Sequence, residues 1–183
     1  MKKLISIFSE LSFFFVNIIG NLFIPYIKEK QVRDVRICPY NKKYLTDMIK
    51  IWNSFEEAHF GKIQKLLLMF FGKKTCFVMV KDEKPIGFIF FYFRFNDLIN
   101  HRIHSASGVM NSIYRRSGYG ALLFISAWDS FKKVRFIHGI SCRYTLDNIQ
   151  SKRLHEKYGF KVKSEYFDPH LRKQRVYAIC SWK

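Results

Sequence analysis

From Val32 onward the chain alternates between two hydrophobic periods, and the alternation sets the order of its elements. Val35-Arg36-Ile37-Cys38 reads as a short strand. Between Lys42 and Phe55, Leu45, Met48, Ile49 and Trp52 recur at helical spacing; between Phe60 and Phe71 so do Ile63, Leu66, Leu67 and Phe70, with Gly72 placed to close that helix. Thr75–Val80 and Ile86–Phe93 are β-branched and aromatic runs joined by the polar turn Lys81-Asp82-Glu83-Lys84-Pro85, which predicts a hairpin. A polar connection, Asn96–Arg102, leads to a strand at 103–110, and a helix follows from near Tyr119 to Lys132. Then come a strand at Val134–Cys142, a helix at Asn148–Tyr158 stopped by Gly159, and strands at Phe160–Tyr166 and Arg175–Cys180. The order β-α-α-β-β-β-α-β-α-β-β predicts an α/β fold, a mixed sheet of about seven strands with helices on both faces.

Residues 2–27 obey another pattern. Behind Lys2 and Lys3 stands an apolar run with the look of a signal peptide or membrane span, but Glu10 interrupts it and no small-x-small cleavage site follows. Ser6, Glu10, Asn17 and Asn21 fall near one helical stripe, with Leu4, Phe8, Leu11, Phe15, Ile18 and Leu22 on the other side, so the segment reads as an amphipathic helix ended by Pro25. Such a helix suits an anionic bilayer interface, the chain's own core or a second subunit, as in a homodimer. The chain divides into an N-terminal helical appendage, residues 1–31, and a globular domain, residues 32–183.

Composition sharpens this in two ways. With 49% hydrophobic residues and 20 Phe among 183, the domain can bury an aromatic core, which excludes disorder. Lys and Arg number 32 against 14 Asp and Glu, a formal charge of +18, which favours anionic partners: polyphosphorylated small molecules, an acidic carrier protein, an anionic membrane or nucleic acid. The basic residues are spread along the chain rather than gathered in an arm, which weighs against nucleic acid. Cys38, Cys76, Cys142 and Cys180 stand far apart with no C-x-x-C pair and no His at metal spacing, so neither a zinc site nor a disulfide frame is expected, and the compartment reads as reducing.

The candidate chemistry gathers at Arg115-Arg116-Ser117-Gly118-Tyr119-Gly120, between the strand that ends Gly108-Val109-Met110 and an amphipathic helix. A strand turning through R-x-x-G-x-G into a helix collects unpaired backbone N–H groups and the positive end of a helix dipole at one point, where glycines let a phosphate reach the main chain. Downstream lies Asn148-Ile149-Gln150-Ser151-Lys152-Arg153-Leu154-His155-Glu156-Lys157-Tyr158-Gly159-Phe160. Together, in this order and at this separation, the two strings resemble the paired motifs of the GNAT acyltransferase superfamily over residues 33–182.

The resemblance implies a twisted mixed sheet splayed between its fourth and fifth strands to hold acyl-CoA, acetyl-CoA in the simplest case. By position, Gly108, Val109 and Met110 would offer main-chain groups to the pantetheine arm. Arg115, Arg116, Ser117, Gly118, Tyr119 and Gly120 would wrap the pyrophosphate, and Asn148 would bond the cofactor arm while capping its helix. His155 stands where many members carry a tyrosine that protonates the leaving thiolate, so His155 and, three residues on, Tyr158 are the acid candidates. Base candidates for the acceptor ammonium are Glu56 and Glu57, between the first two helices, and His104 at the start of the fourth strand.

The function so implied is N-acyl transfer, acetyl or longer, from coenzyme A to a primary amine by direct attack in a ternary complex. The charge and the N-terminal helix point to an anionic or membrane-associated acceptor such as an amino sugar, in a cytoplasmic protein with a peripheral place at the inner membrane face. Two alternatives stand beside it: a non-catalytic acyl-CoA-binding or membrane-tethered interaction module, and an acyltransferase that uses an acyl carrier protein.

Overall fold

The computed structural model describes residues 2–54 and 61–182, with side chains from Phe8 onward. The body of the protein is one eight-stranded sheet in the order β1-β2-β3-β4-β5-β6-β8-β7. Its strands are β1 (Lys30–Val32), β2 (Val35–Pro39), β3 (Cys76–Lys81), β4 (Lys84–Tyr92), β5 (Arg102–Met110), β6 (Gly139–Thr145), β7 (Lys161–Asp168) and β8 (Lys173–Ser181). All neighbours pair antiparallel except β5 and β6, which are parallel. The helices are α1 (Lys2–Leu22), α2 (Leu45–Asn53), α3 (Lys62–Thr75), α4 (Phe95–Ile99), α5 (Tyr119–Lys132) and α6 (Ile149–Lys157).

Strand alternation divides the core in two. On one face Phe77, Met79, Ile89 and Phe91 meet Leu123, Phe124, Ala127 and Phe131 of α5. On the other, Val78, Phe88, Phe90 and Val109 meet Met48, Ile51 and Trp52 of α2 and Leu67 and Leu68 of α3. Phe77, Phe91 and Phe131 touch edge to face, with ring centroids 4.8 to 6.2 Å apart. That arrangement adds a specific attraction to the burial of each ring.

Several expectations shift. The sheet gains a strand, β1, because Arg33 takes a left-handed turn (φ 56°) that folds Lys30–Val32 back on β2. Gly72 does not close a helix: α3 runs on to Thr75, and Gly72 is buried where a Cβ would stand 2.6 Å from the Tyr40 ring. The glycine serves close approach, not termination. The connection at 96–102 contains the short helix α4.

The strand expected at Val134–Cys142 lies further along, at Gly139–Thr145. Residues 134–138 form a turn whose N–H groups bond Phe131, Val134 and His101 carbonyls, while Val134 and Ile137 plug the core below α5. A short apolar run looks the same to a periodicity argument whether it plugs or pairs.

Candidate functional site

β5 and β6 hydrogen-bond only from Arg102↔Gly139 to Ser105↔Cys142, although β5 continues to Met110 and β6 to Thr145. Ala106 is an extra residue between the pairs Phe91↔Ser105 and Phe90↔Ser107, and this bulge bends β5 where the two strands part. A cavity of about 360 Å³ opens at the parting, between the ends of β5 and the first turns of α5 and α6.

The α5 side of the cavity is Arg115, Arg116, Gly118 and Gly120. Gly118 caps α5 in the left-handed region (φ 84°), and a Cβ there would meet nothing within 4 Å, so its missing side chain is open cavity. Arg116 also has positive φ (64°), so the chain turns twice through the left-handed region just before α5. The first N–H groups of α5 have no carbonyl within the helix to bond, and the Tyr119 N–H is met by Ser117 Oγ at 3.4 Å. Ser117 and Tyr119 turn elsewhere: Ser117 Oγ donates to the Tyr114 carbonyl at 2.6 Å, and the Tyr119 hydroxyl donates to Asp34 at 2.7 Å. Hydrogen bonds from Lys81 and Tyr119 hold the Asp34 carboxyl down at about 2.

On the strand side, Gly108, Val109 and Met110 line the cavity with Ile89 and Ser105. On the α6 side, Asn148 caps the helix by accepting from Ser151 N–H at 3.0 Å while lining the same space. Gln150, Ser151, Leu154 and His155 follow.

His155 is 7% exposed, its ring stacked on Tyr144 at 5.3 Å and 7° and met edge-on by Phe124 and Phe160. Burial pushes its imidazole below the usual value, against the opposing pull of the Ser151 carbonyl 2.7 Å from Nδ1. The neutral ring therefore donates Nδ1–H to that carbonyl, and its other nitrogen is an acceptor. Tyr158 is not among the lining residues; its ring packs on Phe124 and Trp128 at 5.3 and 6.0 Å.

His104 sits on the opposite face of the sheet from the cavity, beside the same gap. It is 2% exposed, with Nδ1 2.7 Å from Ser141 Oγ and its ring 5.1 Å from that of Tyr92. Burial, then Arg94, Arg143 and Arg175, drive its imidazole well below the usual value. Glu56 and Glu57 lie outside the described residues.

Around His104 this face carries several arginines, with the buried Asp97 carboxylate 3.8 Å from the His104 Nδ1. The register puts Arg143, Tyr177 and Ser164 side by side, and Arg175 with Tyr166. Asp97, fully buried, accepts from Tyr177 Oη at 3.2 Å and pairs with Arg102 at 3.4 Å. Arg175 pairs with Asp168 at 3.1 Å, and Arg94 lies over the Tyr177 ring at 5.5 Å. Arg143 stacks over Tyr166 at 5.6 Å, and its Nε and the Tyr166 hydroxyl are both buried without a hydrogen-bond partner among the described residues. Two donors so placed favour an anion.

Both buried histidines make stability depend on pH. In the unfolded chain they titrate near 6.5, whereas in the fold both values are depressed, so the unfolded state takes up protons first. Their contribution is intact above about pH 6.5 and is lost as pH falls from there toward the folded values. Urea unfolding is expected to lose up to about 1.4 kcal/mol per pH unit for each histidine in that window, with His104→Asn removing part of the slope. A flat profile would contradict neutral burial.

Residues 35–160 match the model of the acetyltransferase (GNAT) family. The chain belongs to the GNAT acetyltransferase family. No curated protein matches it by sequence. Among solved structures, the GNAT chain is similar to Ard1 from Thermoplasma volcanium at 14% identity and a TM-score of 0.70, covering 81% of this chain and 98% of that one. It is similar to Arabidopsis thaliana Naa50, in complex with the bisubstrate analogue CoA-Ac-MVNAL, at 13% identity and 0.71, covering 82% and 100%. It is similar also to Arabidopsis thaliana NAA60 in complex with acetyl-CoA, at 12% and 0.72, covering 81% and 99%. At such identities the likeness is one of fold, and it extends to the mixed, splayed GNAT sheet. Among the described residues of this GNAT chain, no group of three or more His, Cys, Asp or Glu is placed to hold a metal ion.

Tyr144, Ser151, Arg143 and Tyr166 were missed by sequence reasoning. Tyr144 and Arg143 lie in the part of β6 beyond Cys142, where the strand was expected to have ended.

Proposed function

We propose that this chain is an N-acetyltransferase that binds acetyl-CoA between the parted ends of β5 and β6 and passes the acetyl group to a primary amine by direct attack. The observation that carries this reading is the cavity of about 360 Å³ at the parting, onto which Gly118 and the first turns of α5 and α6 open together. The residues suit the cofactor: the space left by the absent Gly118 side chain admits a pyrophosphate, and Arg115 and Arg116 add charge. The thioester supplies an acyl group already activated for attack.

The chain's own residues position and deprotonate. Main-chain groups of Gly108, Val109 and Met110, which line the cavity, would orient the arm, and Asn148 fixes the start of α6 beside it. His155, neutral and held by the Ser151 carbonyl, is a wall and an acceptor, so departure of a thiol with a reference pKa of about 8.5 does not draw its proton from this ring. His104, in its basic form, is the base of this reading, linked through Ser141 and Tyr177 to the half-buried face.

The acceptor of this reading carries an anion as well as an amine, an amino sugar bearing phosphate or carboxylate being one such compound. Arg143 and the Tyr166 hydroxyl are the donors that favour it. Replacing Arg143 by Gln is expected to raise the KM for an anion-bearing amine about tenfold to a hundredfold, the worth of a charge-assisted hydrogen bond, with the KM for acetyl-CoA unchanged. Steady-state kinetics with matched neutral and anionic amines tests it; an equal effect on both would remove the anion from the acceptor.

A further inference from the structure

The N-terminal helix docks with Asn17 and Asn21 turned inward, beside Val16, Phe13 and Phe14, while Glu10 stays exposed. Asn17 and Asn21 are 1% and 3% exposed. The Asn17 amide donates to the Phe93 carbonyl at 3.0 Å and accepts the Phe93 N–H at 2.9 Å, completing the main chain just past β4. Lys74 of α3 donates to the Asn21 carbonyl at 2.7 Å, and Gly20 lies so close to the Phe93 ring that a Cβ there would collide with it.

This docking turns the apolar stripe outward. Phe8, Leu11, Phe15, Ile18 and Leu22 are 39 to 74% exposed. The Phe14 ring joins α1 to Phe70 of α3 at 5.5 Å, and Leu66, Met69 and Phe70 of α3 are 38 to 65% exposed as well. An amphipathic helix in water gains by burying its apolar stripe. Here hydrogen bonds fix the reverse orientation, and the apolar face is left for something outside the chain.

The charge around it names the occupant. On α3, Lys62, Lys65, Leu66, Met69, Phe70 and Lys73 are all exposed and fall at i, i+3, i+4, i+7, i+8 and i+11, one helical face on which lysines interleave with the apolar residues. That helix carries no Asp or Glu. A two-fold contact through this face would bring together two lysine-bearing helices neither of which carries an acid, whereas a layer of anionic headgroups above an acyl interior matches both parts of the face. No helix among the described residues is long and apolar enough to cross a membrane.

We infer that α1 and the outward face of α3 lie along the surface of an anionic bilayer, with the α1 stripe at the headgroup boundary and the α3 lysines among the headgroups. The inference stands on this face alone and is independent of acetyl transfer.

Flotation of the full chain with vesicles tests it, using phosphatidylcholine alone and phosphatidylcholine mixed with phosphatidylglycerol. The protein is expected to float with the mixed vesicles. Phe15→Ser with Leu22→Ser should lower partitioning at least about tenfold, and Lys62→Gln with Lys65→Gln and Lys73→Gln should do so too, more strongly at low salt. These side chains are exposed, so an unchanged melting temperature verifies that each variant is folded. Failure to float with either vesicle overturns the inference, as does flotation that neither variant weakens. A solution dimer abolished by Phe15→Ser with Leu22→Ser, without flotation, assigns the face to a second copy and overturns it also.

Discussion

Gly118→Val is expected to lower affinity for acetyl-CoA more than a hundredfold while leaving the protein folded. Two effects act together. The residue holds φ at 84°, a conformation that a β-branched side chain adopts only at a cost of about 1–3 kcal/mol, so the loop relaxes away from this turn. The added carbons also enter the empty space through which an anion would approach the first turn of α5. A hundredfold loss is about 2.8 kcal/mol, within what these two effects supply. Because a Cβ at this position meets no neighbour within 4 Å, the core is untouched and the melting temperature should fall only by what the backbone strain costs. Calorimetric titration checks the result, with Gly118→Ala expected to fall between wild type and valine. Undiminished binding by the valine variant would mean that the cofactor pyrophosphate lies elsewhere.

Asn17→Ala is expected to cost about 2–4 kcal/mol of stability, more than its small change in volume suggests. The amide satisfies both the N–H and the carbonyl of Phe93 at a buried point, and alanine removes both bonds. It also releases the docking of α1, and with it the packing of Val16 and Ile24 on the main core and of Phe13 and Phe14 on the second. Asn17→Leu, which fills the space but cannot bond, should lose as much. Urea denaturation reads both; a loss below about 1 kcal/mol for either would show that the helix is held by its apolar contacts and not by the amide.

Asn17 also marks the limit of what the sequence could say. Periodicity identified α1 as amphipathic and sorted its two stripes, but a stripe pattern does not state which side meets the protein. The orientation follows from the unpaired main chain of Phe93, an accounting of backbone groups that becomes visible only when the fold is assembled. Arg143 and Tyr166 likewise lie far apart along the chain and meet only because β6 and β7 both pair with β8. By contrast the glycine turn that opens α5 was legible, since Arg115 to Gly120 is a local motif whose neighbours in space are its neighbours in sequence. His155 was legible as a position but not in its surroundings: burial against Tyr144, Phe124 and Phe160 pushes its imidazole below the usual value, against the pull of the Ser151 carbonyl.

The parting of β5 from β6 joins these pieces. The bulge at Ala106 opens the sheet, α5 and α6 bring their first turns to one side of the opening, and His104 with its arginines stands on the other. On this account one face receives the acyl donor and the opposite face the amine, with the gap as the passage between them.

The most direct test is thiol release from acetyl-CoA by the full chain, followed with a panel of primary amines that includes phosphate- and carboxylate-bearing members, alongside calorimetric titration of acetyl-CoA. The account predicts saturable binding of acetyl-CoA together with amine-dependent thiol release that is fastest for an anion-bearing amine and lost in Gly118→Val. Binding with no release on any amine would contradict acetyl transfer and leave a cofactor-binding module; absence of binding would contradict the site itself.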